Sequence, residues 1–309
     1  MKLTFVVPCY NEEKNIKLFY DDVASNFKKS KYDIELIFIN DGSKDNTLVE
    51  LKKLVETTKE YEIKIINFSR NFGKEAGIYA GLEHSTGDYV VLIDADMQQP
   101  PRLVIDMLKV IEKNEDIDIV TYYQEKRIED KVLSFFKSNF YKIINKLTGI
   151  QFINGASDFR LLKKDVVKTI LTLSEHQRFS KGIFAWIGYN VHYLPYVPEK
   201  RANGNTSWSF KSLFRYALSG IFSFVKDPMN LLCYLGMFSV VVSLIWFIIL
   251  LISKVGNMVN YIYPFIVFMS GINFMVLWYI GIFISRNYEE LKNRPIYIAK
   301  EVIINEKNN

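Results

Sequence analysis

Two periodicities divide the first 125 residues of the chain. Residues 3–7, 34–39, 63–66, 89–93 and 117–122 are short runs dominated by Ile, Val, Leu, Phe and Tyr, which predicts strands of about five or six residues. Between them, residues 15–27 set Ile16, Phe19, Val23 and Phe27 on one helical stripe. Residues 45–57 do the same with Leu48, Leu51, Leu54 and Val55. Strands alternating with amphipathic helices predict right-handed crossovers and an α/β domain, its mostly parallel sheet covered on both faces.

Beyond residue 124 the alternation loosens. Residues 130–147 and 209–224 read as amphipathic helices; in the second, Phe210, Leu213, Phe214, Ala217, Leu218 and Ile221 oppose Lys211 and Arg215. Helices of this kind lie in a membrane interface or cover an ordinary core, and the pattern admits both. Residues 229–253 and 261–285 then carry no charged side chain. As helices each is about 37 Å long, against a hydrocarbon core of about 30 Å, so each is expected to span a bilayer. Pro264 falls in the first turn of the second, where proline is tolerated. Lys211, Arg215 and Lys226 precede the first span, Arg286, Lys292, Arg294 and Lys300 follow the second, and only Lys254 lies between. The positive-inside rule therefore puts both ends in the cytoplasm. The predicted organisation is a cytoplasmic head (1–208), an interfacial helix (209–228), a transmembrane hairpin in the cell membrane (229–285) and a cytoplasmic tail (286–309).

Charge and cysteine content narrow the setting. A net charge of +5 over 309 residues, spread along the chain, does not point to nucleic acid, although Lys and Arg near an anionic leaflet would hold the head on the membrane surface. Cys9 and Cys233 make neither a disulfide framework nor a metal spacing, which favours a reducing compartment. The first apolar run turns polar at Asn11-Glu12-Glu13, too soon for a signal peptide. His84, His176 and His192 form no cluster and read as surface or packing residues.

Candidate chemistry gathers where predicted strands end. Pro8-Cys9-Tyr10-Asn11-Glu12-Glu13 leaves the first strand and opens a helix, a place where backbone N–H groups and a ring can hold a base or phosphate. Asn40-Asp41-Gly42-Ser43 leaves the second, with a carboxylate placed to accept from a ribose or base; taken alone, a plain turn with a helix cap is the better explanation. Asp94-Ala95-Asp96 follows the fourth. On an extended segment residues i and i+2 point the same way, so both carboxylates can face one Mg²⁺ or Mn²⁺, with Gln98 a further oxygen donor.

These residues resemble the family-2 inverting glycosyltransferases of the GT-A fold. The resemblance narrows to the polyprenol-phosphate glycosyltransferases: dolichol-phosphate mannose synthases and, more closely, bactoprenol glucosyltransferases. It rests also on Ser69-Arg70-Asn71-Phe72-Gly73-Lys74-Glu75-Ala76-Gly77, Ser157-Asp158-Phe159-Arg160-Leu161-Leu162, Arg178-Phe179-Ser180-Lys181-Gly182 and Arg201-Ala202-Asn203-Gly204-Asn205-Thr206-Ser207-Trp208, in the family's order. The resemblance implies a GT-A domain followed by interfacial helices and two transmembrane helices. Pro8, Tyr10, Glu12, Asp41, Ser43 and Lys74 would bind the nucleotide sugar. Asp94, Asp96 and Gln98 would hold Mg²⁺ or Mn²⁺ on its diphosphate. Asp158 would be the catalytic carboxylate, and Arg201 would close over a phosphate. Relatives carry an arginine where this chain has Gln124, so Arg127, Lys131 or Lys137 would receive the acceptor phosphate instead.

The implied reaction is inverting transfer of a hexose, glucose first, from a UDP-sugar to undecaprenyl phosphate on the cytoplasmic leaflet, for modification of a surface glycan. Galactose, N-acetylhexosamine or mannose are alternative donors. The resemblance also implies a homo-oligomer, a tetramer, and a separate flippase. A processive polysaccharide synthase would need more spans and a Gln-x-x-Arg-Trp sequence, which is absent. A non-catalytic nucleotide-binding scaffold would be expected to have lost Asp94, Asp96 or Asp158. An oxidoreductase would need a Gly-x-Gly-x-x-Gly after the first strand.

Overall fold

A computed structural model of the chain describes residues 1–124, 156–196 apart from 174, 176 and 177, scattered helical positions between 262 and 292, and 294–305. Two compact units emerge, Met1–Ser223 with Pro295–Asn309, and Phe224–Arg294. The first is built on one sheet of eight strands: β1 Lys2–Cys9, β2 Asp33–Asn40, β3 Glu62–Phe68, β4 Tyr89–Leu92, β5 Ile119–Gln124, β6 Ala156–Lys163, β7 Val191–Tyr196 and β8 Ala299–Ile304. Their order is β7-β5-β6-β4-β1-β2-β3-β8. The run β4-β1-β2-β3 is parallel, as is β5 with β7, whereas β6 runs antiparallel to β4 and β5, and β8 to β3.

The predicted stripes find their core. Ile16, Phe19, Val23 and Phe27 of α1 (Ile16–Phe27) are buried with Leu3, Phe5 and Val7 of β1, and Phe5 meets Phe27 edge to face at 5.4 Å. Thr47–Thr57 forms α2 as expected. The other face of the sheet is covered by α3 (Lys74–Glu83), which the periodicity did not reveal. Ala76, Gly77, Ile78, Ala80, Gly81 and Leu82 are all buried, so no polar stripe marks a helix. Its small residues are a packing requirement: a Cβ on Gly81 would lie 2.1 Å from Val6 Cγ1. After β4 come a 3₁₀ turn at Pro101–Leu103 and α4 (Val104–Lys113); α5 (Lys164–Thr172) and α6 (Ser180–Trp186) follow β6.

One feature departs from the sequence reading. Residues 299–304, assigned above to a tail, return as edge strand β8, pairing Ile304 with Lys64 and Glu301 with Asn67. The Asn305 side chain locks this return, accepting Ile63 N–H at 2.6 Å and donating to Thr58 and Tyr61 carbonyls at 3.1 and 2.9 Å. Among the described residues no helix is long and apolar enough to cross a membrane. The expected span 229–253 and the amphipathic segments 130–147 and 209–224 lie outside the described residues, and 261–285 is described only at scattered helical positions.

Candidate active site

The carboxyl ends of β1, β2 and β4 and the start of antiparallel β6 share one rim of the sheet, where open α/β sheets bind ligands. The loops after β1 and β2 are knitted together there. Asn11, at φ 58°, donates its N–H to Ser43 Oγ at 3.0 Å and accepts Lys44 N–H on Oδ1 at 2.9 Å; Glu12 N–H reaches Thr47 Oγ1 at 2.8 Å. Ser43 and Glu12, both candidate donor ligands, thus also shape the loops, and the Glu12 carboxylate accepts from Asn15 Nδ2 at 2.6 Å. Pro8 is partly buried against α3, its Cβ 3.3 Å from where a Gly77 Cβ would stand. Tyr10 stands in the open, 38% accessible.

Asp41 is buried, and its two carboxylate oxygens accept Phe72 N–H at 2.6 Å and Gly73 N–H at 2.9 Å, which fixes the loop leading into α3. Burial raises its carboxyl above the usual range despite those two bonds. Gly42 is obligatory beside it. Its φ is +63°, and a Cβ would sit 2.5 Å from the backbone of Arg70 and Asn71.

The acidic residues are arranged differently from the extended pair expected. Strand β4 stops at Leu92, and a turn begins at Ala95 with Met97 at φ 60°. Asp94 and Asp96 therefore do not share one extended face. The Asp94 carboxylate is 40% accessible, while Asp96 is buried and accepts Gln98 N–H at 3.1 Å. Gln99, not singled out by the sequence, holds Ser157 Oγ and Tyr196 OH at 2.5 Å each, tying this turn to β6 and β7.

Register explains the central cluster. Leu92 pairs with Arg160, so Asp94, two residues beyond, faces Asp158, two residues before. Lys74, the first residue of α3, fills the space between, 2.8 Å from Asp94 and 3.2 Å from Asp158. Lys181 of α6 approaches Asp158 from another side at 3.8 Å. Burial opposes ionisation of Asp158, but Lys74, then Lys181 and Arg160, outweigh it and hold the carboxyl well below the usual carboxylate range. Burial likewise opposes the Lys74 charge, and Asp94 with Asp158 reverses this, raising its ammonium above the usual lysine range. Arg160 is buried with its guanidinium 4.3 Å over the Phe184 ring, and Arg178 lies 4.7 Å over Tyr79. Asp158 is thus partnered chiefly by two lysines.

Among the described residues no three His, Cys, Asp or Glu side chains form a ready metal cage. An accessible carboxylate beside a buried one fits a hard divalent cation whose remaining ligands come from a diphosphate. Arg127, Lys131, Lys137 and Arg201 lie outside the described residues. Lys181 escaped the residue-level reading because its partner Asp158 is remote in sequence and only the α6 packing joins them.

With this geometry in hand, the comparisons are informative. Residues 4–171 match the family described as Glycosyl transferase family 2, and the chain belongs to it. It is a glycosyltransferase. It is 39% identical to a putative glycosyltransferase, CsbB, of Bacillus subtilis (strain 168), over 98% of this chain and 92% of that one. It is 33% identical to a prophage bactoprenol glucosyl transferase homolog of Escherichia coli (strain K12), over 98% and 99%. Mannosyl-3-phosphoglycerate synthase from Rubrobacter xylanophilus shares the α/β GT-A fold: TM-score 0.50, 13% identity, 74% of each chain covered.

Proposed function

We propose that this hexosyltransferase moves glucose from UDP-glucose to a polyprenyl phosphate at the cytoplasmic face of a membrane, with inversion at the anomeric carbon. The observation that carries the reading is the Asp94–Lys74–Asp158 cluster at the carboxyl rim of β4, together with full-length likeness to a protein named as a bactoprenol glucosyl transferase homolog. The uncharged segments 229–253 and 261–285 support the membrane setting, and glucose is preferred over galactose, N-acetylhexosamine or mannose from the same relative.

In this reading the base stacks by Tyr10, with Pro8, Glu12 and Asp41 around the uridine, and the diphosphate lies over Asp94. Asp94, Asp96 and Gln98 would hold Mg²⁺ or Mn²⁺, which when bound neutralises charge on the leaving diphosphate. Lys74 adds a fixed cation at the same place, and Arg201 would add another. A phosphate oxygen of the acceptor forms the new bond to the anomeric carbon as the bond to UDP breaks and UDP keeps the electron pair. The acceptor is already an oxyanion near neutral pH, so it needs no strong base. That suits Asp158, whose partners keep it ionised and weakly basic: it orients the acceptor instead of deprotonating it.

The test is transfer by the purified full chain in detergent, with undecaprenyl phosphate, Mg²⁺ or Mn²⁺ and a panel of UDP-sugars. Formation of an acid-labile lipid-linked glucose that disappears in Asp158→Asn and with chelator supports the reading. Wild type that binds UDP but transfers no sugar refutes it.

A further inference from the structure

The two lysines that meet at Asp158 are set there by a second contact one residue along each helix. The Glu75 carboxylate accepts both the backbone N–H of Ser180, at 3.0 Å, and its hydroxyl. The first turn of α6 is therefore tied to the first turn of α3, and the neighbouring residues, Lys74 and Lys181, converge on one carboxylate. Lys74 is fully engaged, close to both Asp94 and Asp158. Lys181 is not so tightly committed: its 3.8 Å approach is the longer of the two, and its side chain stays about a third accessible. Lys74 is neutralised between its two carboxylates, and Lys181 keeps an accessible ammonium beside the group that orients the acceptor. That arrangement takes one further anionic oxygen cluster.

We propose that Lys181 is a direct ligand of the acceptor phosphate, held in place by the Glu75–Ser180 clasp. The site would take a phosphate monoester. The proposal rests on the polyprenyl-phosphate reading above.

The test pairs kinetics with calorimetry on the full chain in detergent, saturated with UDP for the binding arm. Probes are a short-chain polyprenyl phosphate and inorganic phosphate. Lys181→Gln is expected to weaken binding of both probes, and to raise the acceptor KM, at least about tenfold, the loss typical of one charge-assisted hydrogen bond. Donor KM is unmoved, Lys181→Arg restores most of the affinity, and the lipid binds more tightly than the free ion. The proposal is overturned if Lys181→Gln lowers kcat while acceptor KM and phosphate binding stay as in wild type, since Lys181 then only steadies Asp158. A shift in donor KM, or equal binding of both probes by variant and wild type, also overturns it. If wild type transfers no sugar yet phosphate binding still depends on Lys181, the reaction reading falls and the site stands.

Discussion

Glu35 gives the sharpest test of what holds the sheet together. Its carboxylate has no accessible surface and sits near the start of β2. It accepts Thr4 Oγ1, Thr86 N–H at 3.0 Å and Thr86 Oγ1 at 2.8 Å, and faces Lys2 Nζ at 3.4 Å and Lys64 Nζ at 3.5 Å. Glu35→Ala strips the acceptor from three donors and leaves the buried Lys64 ammonium short of its countercharge. Breaking a buried pair in this one-sided way costs about 3–5 kcal/mol. At about 2–4 °C per kcal/mol for a domain of this size, Tm should fall by roughly 6–20 °C. Burial would raise the Glu35 carboxyl, but the Thr4 and Thr86 hydrogen bonds and Lys2 bring it below its ordinary value. A folded pKa below the unfolded one gives stabilisation that is fully present above the unfolded value, near 4.5, and lost as pH falls through the folded value. The gap between wild type and variant should therefore be constant from pH 7 to about 5 and narrow below that. Asp41 lies six residues further along the strand, about 20 Å away, so kcat/KM at 20 °C should stay within about twofold. Differential scanning fluorimetry across pH, with transfer assays on the same preparations, reads both quantities. A Tm loss under about 3 °C, or a gap that widens towards acid pH, would refute the reasoning.

Three further outcomes follow from the same geometry. Gly42→Ala forces a Cβ into the Arg70–Asn71 backbone at a left-handed φ, so the loop that Asp41 organises must shift; donor KM should rise at least about tenfold, measured by steady-state kinetics. Asn305→Ala leaves Ile63 N–H and two carbonyls without their partner, and should cost about 1–3 kcal/mol in urea unfolding, with kcat unchanged. Asp94→Asn should raise the Mn²⁺ concentration needed for half-maximal transfer at least about tenfold while leaving Tm within about 2 °C, because the carboxylate is 40% accessible and Lys74 keeps Asp158 as a countercharge.

The legible parts of the fold were those written in local periodicity. The stripe Ile16, Phe19, Val23, Phe27 and the run at 34–39 announce themselves because each must bury one face against the other, whatever the rest of the chain does. Helix α3 stayed hidden for the opposite reason: it is buried almost all round, and its glycines answer to Val6 and Pro8 on a different strand. Strand β8 was hidden because its partner, β3, lies more than two hundred residues earlier, and an edge strand with alternating exposure reads as a short polar tail.

The site divides along the same line. The sequence by itself placed Asp41, Asp94 and Asp96 just past predicted strands, and a chain-long resemblance added Asp158 and assigned all four their chemistry. Tertiary structure decided what each one faces. The β4–β6 register brings Asp158 opposite Asp94, the start of α3 puts Lys74 between them, and the Glu75–Ser180 clasp delivers Lys181. It also turned the expected Asp94–Asp96 pair into one accessible and one buried carboxylate, because the strand ends at Leu92 before either is reached. Local patterning fixes which residues must be buried or charged; long-range register fixes which charges meet, and only the assembled sheet carries that information.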